Sequence, residues 1–187
     1  MKTPVISVIL LALVAGCNSN GDDNGLDDVA NLVSADLDSY RDEGERLSDE
    51  YEDARATPIA DLPTGSATYT GVGVIDTNPD GFDDEGVIGR SVVRADFDDG
   101  TVTAELGDFL DIDGDDVDGR VEIEDGDLSN GVITGALSGD LAGGDVSGSS
   151  LGEISGANGE AVGILINGRI DGGDLDGNFD GAIIADR

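Results

Sequence analysis

The chain has 187 residues, 42 of them acidic and 9 basic, for a net charge of -33 with no histidine. So strong an anion repels the phosphate backbone, which excludes nucleic acid as a partner. The lack of His removes His-dependent acid–base catalysis and most zinc chemistry. The hydrophobic fraction, 38%, still suffices for a small core of Val, Ile, Leu and Ala, and the length suits one domain plus an extension. Carboxylates at this density repel one another at low salt and are screened at high salt, so the composition suits a salt-rich medium.

Lys2 precedes an apolar run, Val5 to Ala15, and then Gly16-Cys17. A positive start, a short apolar stretch and small residues before a cut form a secretory signal. The run is shorter than the about 20 apolar residues that a spanning helix needs. Leu13-Val14-Ala15-Gly16-Cys17 resembles a bacterial lipobox. That resemblance implies cleavage after residue 16 and acylation of Cys17, which would bind the chain to lipid. Asn18 rather than Asp follows, which by the same resemblance favours the outer membrane. Cys17 is the only Cys, so no disulfide forms within the chain. Residues 17–25 read as a polar tether.

Residues 26–56 carry a helical stripe. Leu26, Ala30, Val33, Leu37, Tyr40, Gly44, Leu47, Tyr51 and Ala54 recur at spacings of four and three. Asn24 can cap its start, Gly44 is expected to bend or split it, and Pro58 marks its end. The stripe is expected to pack on the rest of the protein, with a self-associating coiled coil as the second reading. Residues 57–66, with two prolines and a glycine, read as a linker and domain boundary.

From residue 67 to 187 the period changes to two. Strand patterns cover Thr68–Ile75, Val87–Phe97, Val102–Leu106 and Val121–Ile123. A fifth is marked by Ile133, Leu137 and Leu141, and a weak sixth lies between Val146 and Ser155. The final two lie between Glu160 and Arg187. There Val162, Ile164, Ile166 and Ile170 share one face, and Phe179, Gly181, Ile183 and Ala185 share another. Side chains alternate across a strand, so each greasy face is a buried one. Asp98-Asp99-Gly100 signals a hairpin. The expected fold is mainly β: an eight-stranded antiparallel up-and-down barrel, preceded by an amphipathic helix and a lipoprotein signal.

The order Tyr69-Thr70-Gly71, Val92 to Phe97, Gly135-Ala136-Leu137-Ser138-Gly139 and Gly177 to Ala182 resembles the C-terminal barrel of the transferrin-binding protein B family of surface lipoproteins. The likeness covers about residues 67–187. It implies a barrel outside a lipid anchor that binds a protein or solute. The family's second lobe has no counterpart, and a His-ligated haem is excluded.

Asp76, Asn78, Asp80 and Asp84 follow the pattern D-x-N-x-D-G-x-x-D, whose alternate oxygens and turn glycine suit Ca2+. Val87 stands where a bidentate Glu belongs, so an acidic turn is the plainer reading. Asp111 to Asp115 with Glu122 is a second echo, broken by Asp116 in the glycine place. Gly148-Ser149-Ser150-Leu151-Gly152 matches the nucleophile-elbow pattern, but without His it is a chance match. The expected function is a non-catalytic binding module on the outer membrane, with an acidic structural envelope lipoprotein as the alternative. No cofactor is expected beyond this low-ranked calcium.

Overall fold

The computed structural model describes residues 36–51, 53–77 and 86–187. The signal region, Cys17, the tether and residues 26–35 of the helical stripe lie outside the described residues.

Eight long strands form a closed antiparallel barrel. They are β1 Ser66–Asp76, β2 Gly86–Asp96, β3 Thr101–Asp111, β5 Gly119–Ser129, β6 Val132–Leu141, β7 Gly144–Ser155, β8 Ala161–Asp171 and β9 Gly177–Asp186. A two-residue strand, β4 Asp116–Val117, pairs with the end of β3. Each long strand pairs with its neighbour in sequence, and β1 also pairs with β9 from Thr70↔Asp186 to Asp76↔Asp180. Closure leaves none of the long strands with a bare edge. Two tight hairpins carry consecutive positive φ values, Asn130-Gly131 (54° and 79°) and Ala142-Gly143 (49° and 79°). Such primed turns match the strand twist.

The inward face is filled by side chains. Tyr69, Leu106, Phe109, Ile123, Ile133, Ile164 and Phe179 are fully buried in one cluster. Strand glycines make room for them. A Cβ on Gly73 would lie 2.4 Å from a Leu106 methyl, and one on Gly89 would lie 2.6 Å from the Phe109 ring. Large residues thus sit over small ones, which is how a narrow barrel packs without a pore.

Helix α1, Leu37–Tyr51, begins at a cap: the Asp36 carboxylate accepts from the Ser39 N–H at 2.9 Å. Asn24, the cap expected from sequence, lies outside the described residues. Gly44 does not split this helix; it sits on the buried face with Tyr40 and Leu47. The helix stops at Tyr51, short of Pro58. Its stripe packs on the outside of the barrel, where Tyr40 joins Val72 and Leu110, with Leu37, Ile88 and Ile184 around them.

Candidate functional site

The barrel has two different mouths. At one, residues 56–65 fold back over the opening. Ala56 bridges Ser155, the Thr57 N–H donates to the Ile154 carbonyl at 3.0 Å, and the Thr57 hydroxyl donates to the Gly156 carbonyl at 2.8 Å. Leu62 packs against the core, and Thr57 is only 4% exposed. From inside, the Tyr69 hydroxyl donates to the Gly159 carbonyl at 3.0 Å, and burial pushes its phenol pKa up. The stretch read as a linker therefore caps this mouth.

The other mouth carries the end of β1, the start of β2, residues 112–118, the Ala142-Gly143 turn and residues 172–176. Leu175 and Val117 pack down on the core, and the polar residues around them face solvent. The Asp174 N–H donates to the Ala142 carbonyl at 3.1 Å, tying two of these loops together. Arg169 pairs with Asp171 at 2.5 Å and with Asp176 at 3.2 Å, and these carboxylates, Asp171 first, raise its pKa. The result is a set of anionic loops on a rigid frame, a common way to present a recognition surface.

Asp76 ends β1 at this mouth, directly across from Asp180 of β9. Asn78, Asp80 and Asp84 lie outside the described residues. In the second calcium-like stretch, the Asp111 carboxylate accepts from the N–H groups of Asp113 and Asp115, both at 2.9 Å. It serves its own turn. Glu122 is on β5, across from Glu105, and pairs with Arg120 at 2.6 Å. It is held well down the barrel from Asp111, so these residues are not brought together. Among the described residues, no group of three or more acidic or thiol side chains is placed to hold a metal ion.

Ser150 lies mid-strand in β7, facing inward, and its hydroxyl donates to the Gly135 carbonyl at 3.1 Å. A nucleophile elbow needs a strand-to-helix turn, and this serine has none. Among the described residues the buried polar side chains are Thr57, Ser91 and Ser150, so no described carboxylate is shielded from water. The mouth-capping role of Thr57 was missed from sequence. Its only signal is a Pro-flanked segment too apolar, with Ile59 and Leu62, for a free linker.

No family model matches the chain, and no curated protein matches it in sequence. Solved structures similar to it include intact Ap-TbpB with its N and C lobes (14% identity, TM-score 0.48), over 71% of this chain and 28% of that one. Isotype 1 transferrin-binding protein B from serogroup B Neisseria meningitidis is similar at 15% identity and TM-score 0.49, over 71% and 27%. HpuA from Kingella denitrificans, solved in complex with human haemoglobin, is similar at 16% identity and TM-score 0.45, over 71% and 48%. The chain spans about a quarter to a half of the length of these structures.

Proposed function

We propose that the chain is a lipid-anchored binding module of the outer membrane, without catalytic activity, whose barrel offers the loops of the mouth opposite residues 56–65 to a protein partner. The observation that carries this reading is the inequality of the two ends. The chain's own residues 56–65 close one mouth, and the interior is packed, so recognition falls to the outer loops at 112–118, 142–143 and 172–176. A packed interior favours a protein partner over a solute held inside. The dense carboxylates favour a partner with a cationic contact surface.

Anchoring rests on Cys17 and its resemblance to a lipidation site. Mass spectrometry of the mature N-terminus should find an acylated Cys17, and Cys17→Ser should release the protein from membranes. For binding, the full chain in its own envelope is crosslinked from probes placed at residues 113 and 174. A specific protein adduct that is lost when Asp115 and Asp118, exposed carboxylates of the same loop, are replaced by Asn supports the reading. Adducts that are the same from a probe at residue 98, at the capped mouth, count against it.

The alternative, an acidic structural lipoprotein, draws on the same interior filled by side chains. It predicts weakened envelope integrity on deletion and no loop-dependent adduct.

A further inference from the structure

One field of the barrel's outer wall carries no charge. Residues 132–138 of β6, 147–151 of β7 and 163–167 of β8 contain no acidic or basic side chain, in a protein whose net charge is -33. The strands are paired so that these stretches lie side by side. Thr134 is opposite Leu151, Leu151 opposite Leu165, and Leu165 opposite Ala182. Two of the four exposed large hydrophobics among the described residues are on this wall. Leu151 is 56% exposed and Val132 44%.

This apolar row does not stop at β9. Ala182 is paired with Val74, Val74 with Ile88 and Ile88 with Leu110. The Leu110 end is covered by α1 through Tyr40. The same outer row is therefore already an interface at one end and bare at the other.

The sign of the surrounding charge selects the occupant. A cationic partner would be held by carboxylates, and the rest of the surface supplies them. Removing every charge from a wall serves a partner of the same sign, because like charges brought together cost several kcal/mol. We propose that this β6–β8 wall is a self-association surface, on which two copies of the chain meet about a two-fold axis. Strands about 4.8 Å apart and a face about 15 Å long give a few hundred Å² per copy. That is below the about 800 Å² per partner of a stable complex, so the dimer is weak. Asp127, Asp140, Asp145, Glu153 and Asp180 border the wall, and the cation at its edge, Arg169, is already paired with Asp171 and Asp176, so the dimer strengthens as salt screens the carboxylates.

The full chain, in nonionic detergent with micelles in excess, is given a photo-crosslinking side chain at Leu151, or at Ile112 as a control on the far mouth. Crosslinking is compared at about 0.1 M and about 1 M NaCl. The expected result is a covalent dimer from residue 151, severalfold more abundant at high salt, with none from residue 112. Ala136→Glu, at an exposed position, should abolish that dimer while leaving the circular dichroism of the barrel unchanged. No dimer at either salt, equal dimer from residue 112, an adduct only with another protein, or a dimer indifferent to Ala136→Glu each overturns the proposal. None of those outcomes touches the loop-borne partner binding, which uses other residues.

Discussion

The hydroxyl of Tyr40 donates to the backbone carbonyl of Asp108 at 3.0 Å, joining the helix to a bulge in β3. At that bulge the pairing shifts between Ile88 and Arg90, and Asp108 takes a φ of 52°. Burial, then the nearby Asp108 charge, raises the Tyr40 phenol pKa, so it remains a donor across the physiological range. Tyr40→Phe should cost about 1 kcal/mol in denaturant unfolding followed by circular dichroism. Asp108→Val should cost about 1–3 kcal/mol, since a branched side chain resists positive φ. Asp108→Gly should be milder than either. It keeps the carbonyl and loses only an exposed pair with Arg90.

Two inward serines should respond in opposite directions. Ser91 is fully buried, and its hydroxyl has no hydrogen-bond partner among the described residues. Ser91→Ala removes an unsatisfied group and should raise stability by up to about 1 kcal/mol. Ser150→Ala removes a bond to the Gly135 carbonyl and should lower it by about 1 kcal/mol. Thermal unfolding of the two variants side by side measures the contrast, and the same sign for both would sink it.

The barrel was legible because its inward residues alternate. Val93, Ala95, Val102, Ala104, Leu106, Ile164 and Ile183 each fall on an apolar face at period two, and all are buried. The helix stripe was legible in the same way through Tyr40 and Leu47. Less visible were the features that depend on contacts between distant parts of the chain. The Asn130-Gly131 turn has a local signal, but the capping of a mouth by Thr57 depends on Ile154 and Gly156, about a hundred residues away. The loop site was legible only as an acidic turn pattern. Spacing could not show that the Asp111 carboxylate is taken up by its own backbone, nor that Glu122 stays down the barrel with Arg120.

Gly89 sets the room for an aromatic ring. A Cβ there would lie 2.6 Å from the Phe109 ring and 2.7 Å from the Gly107 carbonyl. The carbonyl belongs to backbone and cannot swing aside. Gly89→Ala should therefore destabilise by about 1–3 kcal/mol. Adding Phe109→Leu should recover part of that loss if ring contact is the cause. A double-mutant cycle reads the coupling, and strict additivity would argue against it.

Asp96 ties together the end of β2 and the turn after it. Its carboxylate accepts from the N–H groups of Asp99 at 2.9 Å and Asp98 at 3.0 Å, and from the Ser66 hydroxyl at 2.9 Å. These bonds, that from Asp99 first, hold its pKa below the ordinary 3.8. A carboxyl whose pKa is lower in the folded chain stabilises the fold above its unfolded pKa. That contribution disappears as pH falls through the folded value. Wild type should therefore be more stable than Asp96→Asn by a constant amount above about pH 5, and the gap should close below about pH 4. Urea unfolding at stepped pH measures it; a gap that widens on acidification contradicts the assignment.

Because β1 is flanked by β2 on one side and β9 on the other, the cylinder cannot zip until partners more than a hundred residues apart have met. Topologies dominated by such distant pairings form slowly. Through that wait the growing sheet shows an open flank to every neighbour, a standing invitation to sticky stacking. The carboxylates scattered over the nascent strands keep half-built copies apart until the last strand arrives. The same acidity that clothes the finished surface thus works earlier, as a chaperone written into the chain.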